Sequence, residues 1–250
     1  MQVSSDSFFE SHIRDLIFKS KRTGQPVFSE FLNDKEKIIA DRISNELSCD
    51  HIFYGGYSDA DNVILSVYTD KQPLLSDFPI KCLKVNITNK NATLKHSDYM
   101  GAIMSLGIDR DVFGDIISYP DKAYIYVSEI MTEYFLDNLT EVGREKCFIT
   151  IEDDSFVPDL KEKFSEQQII IASDRLDCFI SALCRLSREK SLETVRKRLV
   201  FVNGSEVNNP SKKLFEGDKI VIRGYGKFII GQCDGKTQKD RLKIKVKKYN

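Results

Sequence analysis

The charges of this chain are segregated. Residues 1–166 carry 18 basic and 29 acidic residues, a net of −11. Residues 167–250 carry 19 basic and 9 acidic residues, a net of +10. The 250-residue chain reads as −1 overall only because these halves cancel. A chain divided in this way is expected to fold as an acidic body joined to a separate basic module. Such a module suits nucleic acid or another anionic surface as a partner.

Composition narrows the class. Apolar residues at 41% and charged residues at 30% fit a globular chain rather than a disordered one. No apolar run approaches the ~18–20 residues of a membrane span, and no basic, then apolar leader opens the sequence. Neither a membrane partner nor secretion is expected. The six cysteines form no C-x-x-C pair, and the three histidines are His12, His51 and His96. Zinc ligands come in short-spaced pairs, so no metal is expected, and no cofactor. Reduced thiols in a cytoplasmic protein are the expectation.

Periodicity sets the elements. Over residues 1–75 the pattern is helical, then mixed. Phe8, Phe9, Ile13, Leu16 and Ile17 mark one amphipathic helix, stopped by Thr23-Gly24-Gln25-Pro26. Asn33 or Asp34 can cap a second, with Ile38, Ile39, Ile43 and Leu47 on one side. Gly55-Gly56 and a strand from Val63 to Tyr68 follow. Residues 76–155 then run strand (Pro79–Ile87), helix (His96–Leu106, started by Ser97 or Asp98) and strand (Asp115–Tyr119). A turn at Pro120-Asp121 leads to a strand at Ala123–Val127, a helix from Ser128 to Leu139 and a strand at Cys147–Ile151. This βαββαβ order is the split βαβ arrangement of ferredoxin-like and RNA-recognition-motif (RRM) folds. It identifies a scaffold and not an activity. The stretch from Asp153-Asp154-Ser155 through Gln168 is polar and acidic, and residues 156–168 read as a linker.

The basic module, 169–250, is the most informative part. Asp174 can cap a helix whose apolar stripe is Leu176, Phe179, Ile180 and Leu183. Ser187 caps the next, which buries Leu192, Val195 and Leu199. Lys190 stands where a capping box would want Glu, so Arg188 and Lys190 lie beside unpaired backbone N–H groups and form a phosphate seat. The helix ends in Arg196-Lys197-Arg198. A strand then reaches Asn203-Gly204, a strong hairpin signal. Further turns fall at Glu216-Gly217-Asp218 and Gly224-Tyr225-Gly226. Lys243-Ile244-Lys245-Val246-Lys247-Lys248 reads as a solvated face or as an edge strand protected by lysines.

Arg175-Leu176-Asp177, Ser187-Arg188, Val200-Phe201-Val202-Asn203-Gly204, Gly217-Asp218 and Arg223-Gly224 together resemble the S4 domain, a small RNA-binding module of two helices and a small β unit. The resemblance implies that structured RNA is held by Arg175, Ser187, Arg188, Lys190, Arg196, Lys197, Asn203 and Arg223. Lys212, Lys213 and Lys227 match only by charge and neighbourhood. Arg175 also has a structural reading, paired to Asp177 or Asp218. The chain departs from the S4 pattern at Arg198, where glycine is usual at a left-handed helix end, and at Ser191, where alanine is usual.

Phe53-Tyr54-Gly55-Gly56-Tyr57, Leu94-Lys95-His96-Ser97-Asp98-Tyr99-Met100-Gly101-Ala102, Leu106-Gly107-Ile108-Asp109-Arg110 and Asn138-Leu139-Thr140-Glu141-Val142-Gly143-Arg144 extend the likeness. With them the chain resembles the YlmH family of bacterial S4 proteins. That resemblance implies an α+β protein: an N-terminal α/β region, a central RRM-like domain and a C-terminal S4 domain. It implies a cytoplasmic, non-enzymatic RNA-binding protein with rRNA and tRNA as partners and no DNA. The large ribosomal subunit carrying peptidyl-tRNA, in rescue of stalled translation, is the expected setting. The alternatives are an RNA-modifying enzyme of pseudouridine synthase or methyltransferase type with an S4 appendage, and an adaptor acting through the acidic body. Neither a methyl-donor loop nor a pseudouridine-type catalytic segment is present in the sequence.

Two motifs invite other chemistry. Gly235-Lys236-Thr237 lacks the first glycine and the following helix of a P-loop. His96-x-Asp98-Tyr99 reads as a helix start more readily than as an acid–base or base-stacking pair.

Overall fold

The computed structural model describes residues 5–58, 60–89, 91–153, 156–158 and 164–249. The chain is mixed α/β, with six α-helices and three sheets among the described residues. It divides into two compact units, Met1–Asp159 and Leu160–Asn250.

The first unit opens with α1 (Ser5–Thr23), β1 (Val27–Leu32), α2 (Asp34–Glu46), β2 (Asp50–Tyr54) and β3 (Val63–Tyr68). Ile13 and Ile17, one turn apart on α1, are fully buried. Gly24 ends that helix with φ +67°, its N–H returning to the Ser20 carbonyl at 2.9 Å. At α2 it is Asn33 and not Asp34 that caps. Its Oδ1 accepts from the N–H of Lys35 and Glu36, while Glu36 accepts from the Asn33 N–H, a complete capping box. The strands form an antiparallel sheet in the order β1-β3-β2. Strand β1 has no counterpart in the sequence reading. Its pattern, Val-Phe-Ser-Glu-Phe-Leu, is too short to separate from the flanking helical periodicity.

The same unit continues with β4 (Ile80–Ile87), α3 (His96–Ser105), β5 (Phe113–Ser118), β6 (Lys122–Ser128), α4 (Thr132–Asn138), β7 (Glu141–Val142) and β8 (Glu145–Ile151). The sheet order is β5-β6-β4-β8-β7, all antiparallel. Leu83, Val85, Ile116, Ile125 and Val127 project to one face, against Tyr99 and Ile103 of α3 and Phe135 of α4. Ser128 does not cap α4 directly. A 3-10 turn at Glu129–Met131 intervenes, and no side-chain cap is formed. At α3 the Asp98 carboxylate accepts from the Lys95 N–H at 2.7 Å, fixing the helix start.

A buried carboxylate ties these two sheets into one body. Asp115 on β5 is 6% exposed. It accepts hydrogen bonds from the Tyr57 hydroxyl, from the backbone N–H of Asp61 and Asn62 at 2.9 and 3.1 Å, and from the Asn62 side chain at 2.7 Å. All four donors sit in the loop between β2 and β3. Burial and the facing carboxylate push the Tyr57 phenol above its ordinary value, so it remains a donor. The Tyr57 ring packs on Tyr126, with centroids 5.1 Å apart. Gly56 lets the loop come this close: a Cβ there would lie 2.2 Å from the Tyr126 ring, and its φ is +96°.

The second unit comprises β9 (Phe164–Ile171), α5 (Leu176–Cys184), α6 (Arg188–Arg196), β10 (Val200–Val202), β11 (Ser205–Glu206), β12 (Lys219–Ile222), β13 (Gly226–Lys236) and β14 (Leu242–Tyr249). Its sheet order is β11-β10-β12-β13-β14-β9, antiparallel throughout. Leu176, Phe179, Ile180, Val195, Val200, Ile222 and Val246 are fully buried in its core.

Two expectations change here. The linker read over 156–168 ends early, because residues 164–168 already belong to β9. That strand pairs with β14 from Phe164↔Tyr249 to Ile171↔Leu242. Its Ser-Glu-Gln-Gln stretch looks like linker because it faces solvent. Residues 159–163 and 154–155 lie outside the described residues. The lysine-rich strand β14 is also no edge. It lies between β13 and β9, so its lysines form a solvated face over buried Ile244 and Val246 rather than guarding an open edge.

Removing the Asp115 carboxylate leaves the buried Tyr57 hydroxyl and three half-buried N–H donors without this acceptor. Asp115→Ala is expected to cost about 3–5 kcal/mol of stability. The denaturant midpoint of the purified chain checks this, and a loss below about 1 kcal/mol contradicts it.

Candidate nucleic-acid interface

Helix α6 positions three exposed cations of the basic unit. Ser187 is its N-cap, as expected, and its hydroxyl accepts from the Lys190 N–H at 3.3 Å. That leaves Arg188 and Lys190 in the first turn, both exposed. Arg196 ends the helix and is exposed as well. No carboxylate among the described residues lies within ion-pair distance of Arg188, Lys190 or Arg196.

The neighbouring cations are partly engaged. Lys197 bonds Glu193 at 2.8 Å, and this contact holds the Glu193 carboxyl below its usual range. Both groups are solvated, so the pair is easily exchanged for another anion. Arg198 approaches Glu206 at 3.5 Å. Its φ of +57° is the left-handed geometry for which the S4 pattern has glycine.

Several of the residues singled out in the sequence have work inside the fold. Arg175 precedes α5 as its N-cap, in place of the expected Asp174. Its Nε and Nη2 bond both oxygens of Asp177 at 3.0 and 2.9 Å. Asp177 is 3% exposed, so the guanidinium neutralises a buried carboxylate. The structural pairing is thus to Asp177 and not to Asp218. Asn203 has φ +49° and with Gly204 makes the tight turn between β10 and β11. Its side chain donates to Asp218 and accepts from the Lys219 N–H, each at 2.8 Å, clamping two turns together. Lys213 pairs with Asp174 at 3.3 Å. Lys227 lies 4.8 Å over the Tyr249 ring. Arg223 is exposed and lies 4.9 Å over the Phe201 ring, and Lys212 is exposed.

The fold brings Arg175 and Arg188 to one groove of about 440 Å³ between the end of β9 and α5. A third guanidinium, Arg241, lines the same groove. No local sequence signal marks it, because Arg241 belongs to the turn between β13 and β14. That turn is tied by the Thr237 N–H to the Arg241 carbonyl and by the Arg241 N–H to the Thr237 hydroxyl. Gly235-Lys236-Thr237 enters this hairpin, with Lys236 held by Asp240 at 2.7 Å, and does not precede a helix. Elsewhere, Tyr99 is fully buried in the core of the first unit, so it cannot stack on a base beside exposed His96.

The six thiols are unbridged. Burial pushes Cys82 up to about 12 and Cys147 and Cys184 up to about 11, which keeps them protonated and unreactive at neutral pH. Among the described residues no group of three or more His, Cys, Asp or Glu could hold a metal, and no helix is long and apolar enough to cross a membrane.

Comparison with known proteins adds three findings. Residues 73–155 match a family described as "Putative RNA-binding domain in YlmH". The chain is 28% identical over 221 residues to "Ribosome-associated protein quality control protein P2" of Bacillus subtilis (strain 168), covering 86% of this chain and 84% of that protein. Among solved structures it is similar to "Cell division protein ylmH from Streptococcus pneumoniae", with a TM-score of 0.54 and 22% identity over 61% of this chain and 94% of that one. At that identity the structural likeness speaks to fold alone.

Two substitutions separate structural from binding roles. Asn203→Ala is expected to cost about 1–3 kcal/mol of stability through the lost clamp. Arg198→Gly is expected to add about 0.5–1 kcal/mol by relieving the left-handed residue. Thermal unfolding checks both, and opposite signs contradict the assignments.

Proposed function

We propose that this chain is a member of the YlmH family and a non-enzymatic RNA-binding factor of the ribosome. The Leu160–Asn250 unit acts as its S4 domain, and residues 76–155 are an RRM-like domain. The partners are rRNA and tRNA, on a large ribosomal subunit carrying peptidyl-tRNA, in the rescue of stalled translation in the cytoplasm. The name of the Bacillus subtilis relative, which places that protein in ribosome-associated quality control, supports this setting.

One observation carries the reading: Arg188, Lys190 and Arg196 stand exposed at the two ends of α6 with no carboxylate partner among the described residues. Unpaired cations in a unit of net +10 attract phosphates. Each phosphate neutralised releases counterions, which gives affinity that falls steeply with salt. Arg188 shares a groove with Arg175 and Arg241, so a folded RNA backbone would meet three guanidinia at one place. Arg223, Lys212 and Lys197 extend the same charge, whereas Arg175, Asn203 and Lys213 serve the fold first. The acidic body, at −11, disfavours non-specific capture of polyanions and so sharpens the choice of target.

The test is retention on ribosomal subunits in a salt series. Arg188→Glu combined with Lys190→Glu is expected to lower retention at least tenfold and to reduce the salt slope by about two. Equal retention of variant and unchanged chain overturns the proposal.

A further inference from the structure

In the first unit, a cavity of about 150 Å³ opens between the end of β2, the segment Leu75–Phe78 and strands β4 and β6. Four aromatic rings wall it: Tyr54, Phe78, Tyr126 and Phe156. Each has a fixed place. The Tyr54 hydroxyl donates to the Gly56 carbonyl at 2.7 Å, and its ring meets Phe78 edge-on at 5.4 Å. Phe156 stacks on Tyr124 with centroids 4.6 Å apart. Tyr126 packs on Tyr57 and is 2% exposed.

The fold leaves one of these rings incomplete. The Tyr126 hydroxyl is buried with no oxygen or nitrogen to bond. It interacts with Cys82 and Tyr54, both of which line the same cavity, so its oxygen is directed toward that space. A thiol is a weak partner, and a buried hydroxyl left in this state is destabilising. A donor that enters the cavity relieves it.

The mouth of the cavity is acidic. Asp77, Glu129 and Asp153 stand exposed there, against one cation, Lys81. Lys81 approaches Glu129 only to 3.9 Å, and Asp77 accepts from the Leu74 N–H at 2.8 Å. The carboxylates do not converge as metal ligands do: among the described residues no group of three or more His, Cys, Asp or Glu could hold a metal ion. Their charge therefore suits an organic cation, and the net −11 of residues 1–166 adds to the same field.

We propose that this cavity binds a primary alkylammonium group, the ammonium together with its methylene stem. The aromatic walls attract the cation and pack the stem. The Tyr126 oxygen accepts one ammonium N–H, and the carboxylates at the mouth balance the charge. A cavity of this volume admits about six heavy atoms, the size of such a group. A nucleotide is too large and has the wrong charge, so the proposal is separate from the RNA-binding reading above. Two sources carry this chemistry: a free polyamine, and a lysine side chain of a protein partner.

The experiment is isothermal titration of the full chain with putrescine and, separately, with a blocked peptide carrying one lysine between glycines. At least one probe is expected to bind. Putrescine alone identifies a free polyamine, the peptide alone a protein lysine, and binding of both the shared group. Tyr126→Phe is expected to weaken binding about tenfold while leaving the denaturant midpoint unchanged or raised, because it removes only an unsatisfied oxygen. Glu129→Gln, an exposed change, is expected to weaken it about threefold. The proposal is overturned if neither probe binds the unchanged chain, if Tyr126→Phe binds as tightly as the unchanged chain, or if the peptide binds equally well with its lysine acetylated. A lowered midpoint in Tyr126→Phe shows the hydroxyl to be satisfied within the fold and overturns it as well.

Discussion

A single buried carboxylate decides how the first unit is assembled. Asp115 collects one hydroxyl, two backbone N–H groups and one amide from the loop between β2 and β3. An ionised group so removed from water is tolerable only with such a set of donors. The loop is therefore held against the central sheet, and Tyr57 and Tyr126 are brought ring to ring. The small β1-β3-β2 sheet and the split βαβ sheet become one compact unit where the periodicity of the sequence divides them at about residue 75. Within the Phe-Tyr-Gly-Gly-Tyr motif, Gly56 and Tyr57 thereby have a packing role.

The basic unit shows a different economy of charge. Its cations fall into those that neutralise the fold's own carboxylates and those that do not. Arg175 belongs to Asp177, and Lys213 to Asp174. Arg188, Lys190 and Arg196 have no such partner among the described residues. Two motif residues can therefore look equally basic in sequence and differ in what they offer a phosphate. A neutralised guanidinium still donates its remaining N–H groups, which is how Arg175 can line the groove with Arg188 and Arg241.

Local signals were legible in the sequence. The Leu176, Phe179 and Ile180 stripe, the Ser187 cap and the Asn203-Gly204 turn each depend on residues within a few positions, and each is found. The order of elements from β4 to β8, apart from the two-residue β7, was legible for the same reason. What escaped depends on distant partners. Strand β9 reads as linker until β14 pairs with it some eighty residues later. Asp115 reads as the polar start of a strand until a loop more than fifty residues earlier closes on it. Arg241 reads as part of a turn until α5 and α6 place Arg175 and Arg188 beside it.

We propose that this chain engages ribosomal RNA and tRNA together. Ultraviolet crosslinking in cells, with purification of the full chain and sequencing of the attached RNA, tests it most directly. Joint recovery of tRNA and of large-subunit rRNA is expected, lost when Arg188 and Lys190 are reversed in charge. Recovery of neither above the background of a non-binding control protein would contradict it.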